Sequence, residues 1–246
     1  MSIDSEADRA ALVAAGHVVK LTLDALEKAV RPGVTSGELD RLAAEVVARH
    51  GAQSAPRLVY GFPGTVLISI NDEVVHGVPG PRRVERGAVV KLDVTLEKDG
   101  YMGDAARTVV LEGATDTAHK LAACAKAAFE QGAAAARAGV RVNEIGRAVA
   151  REVRRWGFSV AKGLAGHGIG RTIHEPPNVA NDYDPLQTDM LTDGLVLTIE
   201  PMITAGSGGV AVGRDGWTVR TRDGSLAAHH EHTMIITTGA PVLLTA

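Results

Sequence analysis

Two segments of the chain repeat one pattern about 106 residues apart, and this repeat constrains the fold more than any other feature. Arg31–Gly51 (RPGVTSGELDRLAAEVVARHG) and Arg137–Gly157 (RAGVRVNEIGRAVAREVRRWG) share Arg, Gly, Val, Glu and several further residues in register. Each has apolar residues at helical spacing between a Gly-containing turn and a final Gly, which predicts a helix. Another helix is predicted before each copy, over Ala7–Val30 and Thr117–Ala138.

A strand that carries a carboxylate follows the same spacing. Arg86–Val94 (RGAVVKLDV) and Asp193–Pro201 (DGLVLTIEP) both contain Gly, then aliphatic residues, then an acid, and both are typical of buried strands. The acids, Asp93 and Glu200, are 107 residues apart. The alternative is a chance likeness between two α/β stretches. The repeat favours two related halves, approximately residues 1–111 and 112–246, that bring their carboxylates to a shared centre.

Composition restricts the class of protein. The 246 residues carry a net charge of −3 with both signs mixed, whereas a dedicated nucleic-acid binder would show a basic stripe. The single cysteine, Cys124, cannot form an internal disulfide, which favours a reducing compartment. The opening MSIDSEADRA lacks the features of a signal peptide, and no apolar run is long enough to span a bilayer. We therefore expect a cytoplasmic protein with no membrane and no specific nucleic-acid partner.

Two aspartates lie on a predicted β-hairpin. Asp93 and Asp104 flank the turn signal EKDG, and folding the chain between Lys98 and Asp99 places the two aspartates directly opposite each other. A loop centred one residue away would make them near neighbours instead. Two carboxylates so close, among apolar residues, are unfavourable unless a cation lies between them. The alternative is an exposed hairpin with solvated aspartates.

Further acids add to this group. Glu200 ends a predicted buried strand, and Glu231 lies in HHEHTMIIT, where TMIIT is also typical of a strand. Strand alternation puts Glu231 and His229 on one face and His230 and His232 on the other. The sequence therefore favours Glu231 as a ligand, with the flanking histidines structural or exposed.

Two histidines lie in an irregular stretch, GHGIGRTIHEPP. A helical zinc site of the H-E-x-x-H type is excluded for His174, because Pro176 and Pro177 cannot continue a helix. No second histidine follows at the required spacing. The role of His167 and His174 must therefore come from the rest of the chain.

The order of these motifs resembles that of a known family. KLDVT, GDAART, GHGIGRTIHEPP, TIEPM and EHT, together with GFPGTVLISINDEVVHGVP and GWTVRTRDGS, resemble the type I methionine aminopeptidases over most of the chain. The resemblance implies the α+β pita-bread fold, in which two pseudo-symmetric α/β halves share a central antiparallel sheet covered by helices. It also implies one catalytic domain over residues 1–246.

The resemblance implies a site for two divalent metal ions, with Asp104 and Glu231 bridging them and with His167 and Glu200 on one ion. Four carboxylates and one imidazole favour Mn²⁺, Co²⁺ or Fe²⁺, with Zn²⁺ also compatible. Glu200 would also accept a proton from water, His174 would stabilise the carbonyl oxygen, and His76 would contact the scissile nitrogen. The implied ligands are Asp93, Asp104, His167, Glu200 and Glu231.

The expected substrate pocket departs from the family pattern. Val59 stands where the family has a tyrosine, Leu67 where cysteine is common, and Ile173 where phenylalanine is common. Peptide-bond hydrolysis is therefore better supported than strict methionine preference. The residues expected to form the pocket are Phe62, Leu67, His76, Ile173 and Trp217.

The resulting functional expectation is removal of N-terminal methionine from nascent proteins. The partners expected are N-terminal peptides of nascent chains and a transient contact with the ribosome, and we expect a monomer. Two alternatives stay open: a pita-bread aminopeptidase or prolidase-like enzyme with different specificity, and a non-catalytic binding protein. A binding protein would be expected to lose metal ligands, whereas all five are present here.

Overall fold

The computed structural model describes all residues from 1 to 246 and contains five α-helices. None of these helices is both long enough and apolar enough to cross a membrane. Helix α2 begins at a capping box in which Thr35 and Glu38 exchange hydrogen bonds, as the T-x-x-E spacing requires. The helices are α1 (Glu6–Ala29), α2 (Ser36–Arg49), α3 (Ala55–Tyr60), α4 (Asp116–Ala135) and α5 (Asn143–Arg155).

Fifteen strands form one large and two small antiparallel sheets. The large sheet has the order β1-β4-β5-β14-β9-β7-β8, with β2 beside β4 and β15 beside β14. The strands are β1 (Gln53–Ser54), β2 (Leu67–Ile70), β3 (Glu73–Val75), β4 (Val89–Lys98), β5 (Tyr101–Val110), β6 (Ser159–Val160), β7 (Ala165–Gly168), β8 (Glu175–Ala180), β9 (Val196–Ile199), β10 (Met202–Thr204), β11 (Val210–Val212), β12 (Val219–Thr221), β13 (Ala227–His229), β14 (Glu231–Ile235) and β15 (Val242–Leu243).

The four helices predicted from the repeat are present and cover the large sheet in two pairs. Helices α1 and α2 pack their apolar residues, including Leu23 and Leu39, against β2, β4 and β5. Helices α4 and α5 pack theirs, including Leu121 and Ile145, against β9 and β14. This arrangement confirms the pita-bread fold expected from the sequence. Both helix pairs lie on one face of the sheet, because Ala105 of the first apolar cluster is paired with His232, two residues from Met234 of the second. The polar site described below lies on the opposite face, where Glu231 is paired with Ala106.

The predicted hairpin forms, but its loop is centred one residue later than predicted, which displaces the strand pairing by two residues. Asp93 is opposite Ala106, and Asp104 is opposite Thr95, so the prediction that the two aspartates face each other directly was wrong. The turn residues are Asp99 and Gly100, both with positive φ (52° and 82°). Asp-Gly is the pair that a two-residue hairpin loop of this hand prefers. The two aspartates become diagonal neighbours on one face of the sheet.

Candidate metal centre

Five neighbouring strands of the large sheet supply the five ligand-type residues. Asp93 lies on β4, Asp104 on β5, Glu231 begins β14, Glu200 directly follows β9, and His167 lies on β7. All five are buried, with at most 8% of each residue exposed. They line one pocket together with the six other side chains assigned to the site from the sequence: Phe62, Leu67, His76, Ile173, His174 and Trp217.

The buried carboxyl groups disfavour one another's charge. Burial raises the pKa of Asp104 to about 7. Burial, reinforced by the charge of Asp104, raises the pKa of Asp93, Glu200 and Glu231 well above their usual range. Several carboxylates in so small a buried volume repel each other unless positive charge is placed among them. The electrostatics of the site therefore favour the binding of cations.

Two groups of side chains have the spacing of a metal site, and they share one member. Asp93, His229 and Glu231 each offer an atom within 4.8 Å of the others, and so do Asp104, His167 and Glu231. Two buried carboxylate oxygens in these groups, Asp104 Oδ1 and Glu231 Oε1, have no hydrogen-bond partner. Unpartnered buried oxygens are costly, and cation binding would satisfy them. The donor set thus fits cation binding, with Glu231 common to both groups.

His167 is held with one nitrogen free for a metal. Its Nδ1 donates to the carbonyl oxygen of Gly168 at 3.0 Å, so the proton is on Nδ1 and the lone pair is on Nε2. That Nε2 lies 3.3 Å from Glu200 Oε1 and 4.0 Å from Asp104 Oδ2. Burial lowers the pKa of His167 to about 4, which keeps the ring neutral.

Close strand packing places His167 and Glu200 beside each other. A Cβ atom on Gly166 would lie 2.6 Å from the carbonyl oxygen of Thr198, so only glycine allows β7 to approach β9 this closely. The Thr198 hydroxyl accepts a hydrogen bond from the His167 backbone N–H at 3.1 Å and donates one to Glu200 Oε1 at 2.9 Å. Thr198 therefore connects two of the ligand-type residues.

His174 lies on the loop between β7 and β8, next to His167. The centroids of the two imidazole rings are 4.2 Å apart. The phenol of Tyr60 is hydrogen bonded to His174 Nδ1, and burial lowers the pKa of His174. His174 is thus neutral and oriented, with Nε2 left for other contacts.

His76 also lines the pocket and lies directly after β3. Its backbone has a φ of 60°, a left-handed conformation that is uncommon for a residue other than glycine. Much of its side-chain area is open to solvent, but it lies in the concave pocket, where burial lowers the pKa of its imidazole. Such backbone conformations are concentrated at functional sites, where the surrounding structure holds them.

The pocket is lined by the five side chains predicted for it and by some that the sequence did not indicate. The rings of Phe62 and Trp217 meet edge to face, with centroids 5.3 Å apart. Ile173 and Leu67 are buried beside them, with 4% and 5% of each residue exposed. Tyr60, which is displaced by one residue from the family pattern, also lines the pocket, as do Pro56, Val75 and Thr95.

The histidines around Glu231 divide as strand alternation predicts. The rings of His230 and His232 meet the ring of Phe129 in T-shaped contacts, with centroids 5.2 Å and 5.1 Å from its centroid. His229 faces the carboxylates instead, and only 1% of it is exposed. The expectation that all flanking histidines are structural or exposed was therefore incomplete, because His229 lies inside the centre.

A buried centre of carboxylates and imidazole in a pita-bread fold is typical of metal-dependent hydrolases, and this chain is of that class. The chain belongs to metallopeptidase family M24, which its residues 10–238 match. It is 39% identical over 247 residues to methionine aminopeptidase 2 of Bacillus subtilis (strain 168), covering 100% of this chain and 99% of that protein. It is 40% identical over 231 residues to a methionine aminopeptidase of Clostridium perfringens, covering 94% and 93%.

The fold comparison gives the same family. The crystal structure of methionine aminopeptidase from Rickettsia prowazekii superimposes with a TM-score of 0.95 at 34% identity, and 100% of each chain is covered. The resemblance to methionine aminopeptidases inferred from the motifs is therefore confirmed.

Proposed function

We propose that this protein removes N-terminal methionine from nascent polypeptides by hydrolysis assisted by two metal ions. The observation that carries the proposal is the convergence, in one pocket, of two ligand groups that share Glu231 and an apolar wall built on Phe62 and Trp217. The full-length relatives named methionine aminopeptidases support the same substrate class.

The ligand assignment follows the donor atoms. Asp93 would complete the sphere of one ion, His167 and Glu200 that of the other, and Asp104 and Glu231 would bridge the pair. Oxygen donors with imidazole suit Mn²⁺, Fe²⁺ or Co²⁺, and Zn²⁺ is compatible. When bound, two close divalent ions lower the pKa of water and polarise the scissile carbonyl group.

Glu200 is the side chain that we assign to proton transfer during hydrolysis. Glu200 has one oxygen, Oε1, occupied by the Thr198 hydroxyl, while Oε2 is the oxygen left for exchange with water or substrate. Because Oε2 of Glu200 is not held by Thr198, this carboxylate oxygen is placed to accept a proton from water. We assign Glu200 as the group that takes the proton of the attacking water and passes it to the departing amine.

Two neutral histidines then face the substrate. With the Tyr60 hydroxyl donating to Nδ1, His174 carries its proton on Nε2 and would donate a hydrogen bond from there to the carbonyl oxygen as negative charge develops on it. His76, which lines the same pocket, is assigned to the scissile nitrogen. Neither ring needs to lose a charge before acting, since the pKa of each is lowered.

The apolar wall would receive the first side chain of the substrate. Phe62, Trp217 and Tyr60 offer aromatic faces, while Leu67 and Ile173 contribute aliphatic surface. A flexible thioether fits such a mixed wall, and sulfur gains from contact with aromatic rings. Leucine and norleucine should be accepted comparatively well, because part of the wall is aliphatic.

The test is cleavage of a panel of N-terminal peptides by metal-free and reconstituted protein. The first residue is varied from methionine to leucine, norleucine and alanine, with the rest of the peptide constant. We expect no cleavage after chelation, recovery with Mn²⁺, Co²⁺ or Fe²⁺, and the highest kcat/KM for methionine. Full activity in rigorously metal-free protein would contradict the proposal.

The geometry of the site does not bear on the location of the protein, its oligomeric state or its contact with the ribosome. The cytoplasmic location, the monomeric state and the transient ribosome contact inferred from the sequence stay predictions. Sedimentation of the purified protein with and without ribosomes would test the last two directly.

A further inference from the structure

His229 is a buried imidazole without a hydrogen-bond partner on either ring nitrogen. Only 1% of the residue is exposed, and both Nδ1 and Nε2 lack partners. A buried polar group left in this way costs roughly 1–3 kcal/mol, so native structures rarely retain one without a reason. The side chain therefore needs a partner that is not a protein group.

The open nitrogen of His229 points at the carboxylates. Its Nε2 lies 3.6 Å from Glu231 Oε2 and 3.8 Å from Glu200 Oε2, and the ring also falls within the metal-type group that includes Asp93. These separations exceed the 2.7–3.2 Å of an N–H···O hydrogen bond. Donor atoms that bind one ion at about 2.1 Å lie roughly 3–3.5 Å apart, which is closer to the observed spacing.

His167 offers an internal comparison. Its Nε2 lies 3.3 Å and 4.0 Å from carboxylate oxygens of Glu200 and Asp104, and it is the histidine assigned above as a ligand. His229 stands at nearly the same distances from Glu231 and Glu200. Each imidazole thus lies within 4.0 Å of two carboxylates, and each belongs to one of the two ligand groups that share Glu231.

The backbone of His229 is fixed independently of its ring. The Thr108 hydroxyl donates to the His229 carbonyl oxygen at 2.7 Å and accepts from its N–H at 2.9 Å. His229 is also paired with Met202 in the small sheet of β10 and β13. These contacts hold the Cα position, so the imidazole is presented to the centre by a rigid strand.

We propose that His229 is a sixth protein ligand of the centre and binds, through Nε2, the ion held by Asp93 and Glu231. The assignment rests on the proposed two-ion site and adds a ligand to the five that the sequence implies. It gives each ion one imidazole. A nitrogen donor on both ions shifts preference toward Fe²⁺, Co²⁺ or Zn²⁺ and away from Mg²⁺.

Proton NMR of the protein loaded with two equivalents of Co²⁺ counts the ligand imidazoles directly. In H₂O, each bound histidine contributes one strongly shifted ring N–H signal that disappears in D₂O. We expect two such signals in the wild type, one lost in His229→Gln and the other in His167→Gln. The wild-type count stands even where a variant does not fold.

Calorimetric titration with Co²⁺ supplies an independent measure. Changes in the outer shell of a metal site typically weaken binding about 10–100-fold, and loss of a ligand should cost at least as much. We expect His229→Gln to weaken one of the two binding events by about 100-fold or more. The matched control is His230→Gln, whose ring packs on Phe129 on the opposite face and which should bind like the wild type.

The outcomes separate the two proposals. A single shifted N–H signal, lost only in His167→Gln, together with unchanged affinity in His229→Gln, overturns the assignment of His229 and leaves the five-ligand centre intact. Failure of the wild type to bind Co²⁺ at all overturns the metal centre, and with it both proposals.

Discussion

Tyr60 and His174 are hydrogen bonded, phenol to Nδ1, although 114 residues separate them in the chain. Tyr60 ends helix α3 in the first half, and His174 lies on the β7–β8 loop in the second. Their rings are 5.7 Å apart between centroids. The contact joins the two halves at the pocket that both residues line, and it leaves Nε2 of His174 free for other contacts.

Replacing Tyr60 by Phe should lower kcat without loss of metal. The change removes one hydrogen bond, of the kind worth about 0.5–1.5 kcal/mol, so we expect a decrease of roughly two- to tenfold. KM should change less than kcat, because the aromatic ring remains in the wall. Steady-state kinetics with metal content measured on the same samples provide the test.

Two controls define the role of Tyr60. Tyr183→Phe alters a tyrosine that contacts Arg147 away from the pocket and should leave kcat unchanged. In a His174→Ala background, Tyr60→Phe should have little further effect if it acts through His174. Additive losses in the double variant would show that Tyr60 acts by another route.

His174→Ala should be far more damaging to kcat than to metal binding. The imidazole is assigned to the carbonyl oxygen, and loss of one such donor costs about 10²–10³ in rate. Metal content and the affinity for Co²⁺ should stay close to wild type. Stoichiometric loss of metal from the variant would show that His174 is a ligand instead.

Thr198→Val should weaken metal binding, whereas Thr198→Ser should not. Thr198 connects the His167 backbone to Glu200 Oε1 through its hydroxyl, and valine has the same shape without that hydroxyl. Loss of an outer hydrogen bond at a metal site typically costs about 10–100-fold in affinity. Equal metal affinities for the valine and serine variants would show that the Thr198 hydroxyl does not contribute to metal binding.

The elements of the fold were predictable where a local pattern was strong. Four helices could be predicted from the repeat and the segments before it, because helical spacing and terminal glycines are signals that depend only on neighbouring residues. The centre of the hairpin loop was predicted one residue too early, so the pairing was displaced by two residues. The preference of Asp99-Gly100 for the loop decided the pairing, and EKDG as a whole does not reveal it.

The residues of the site could be predicted where their motifs resemble those of the family. The spacing of Asp93 and Glu200 indicated that carboxylates would meet, and the motif order supplied the rest. Tyr60 and Thr198 could not be identified, because their roles depend on contacts with residues 114 and 31 positions away. For His229 a signal existed, since strand alternation placed it on the same face as Glu231.

Metal binding should release protons below about pH 7. In the metal-free fold, burial raises the pKa of Asp104 to about 7 and raises those of Asp93, Glu200 and Glu231. A group whose pKa is raised by folding stabilises the fold fully below its unfolded pKa, about 4, and loses that contribution as the pH rises through the folded value. Because these carboxyl groups hold protons in the metal-free fold, a metal ion that binds them must displace those protons.

The stabilisation by metal should therefore grow between about pH 4.5 and 7. In the metal-free fold, buried histidines such as His230, whose pKa is lowered to about 3, give stability the opposite pH dependence to that of the carboxyl groups. Their contribution to stability is lost as the pH falls. The informative quantity is the difference in Tm between loaded and metal-free protein at each pH. A difference independent of pH over this range would contradict the raised carboxyl pKa values.

Ile173→Phe should raise the preference for methionine over leucine. Ile173 is buried in the apolar wall with 4% exposed, close to the residues that would hold the first substrate side chain. A sulfur–aromatic contact is worth roughly 0.3–1.5 kcal/mol, and about 1.36 kcal/mol corresponds to tenfold in rate. The ratio of kcat/KM for methionine over leucine peptides should thus increase by up to about tenfold. Ile173→Leu, which keeps the wall aliphatic, should leave the ratio near that of the wild type. If neighbouring side chains simply repack, Ile173→Phe will show the wild-type ratio while folded and metal-loaded, and Ile173 then has no part in specificity.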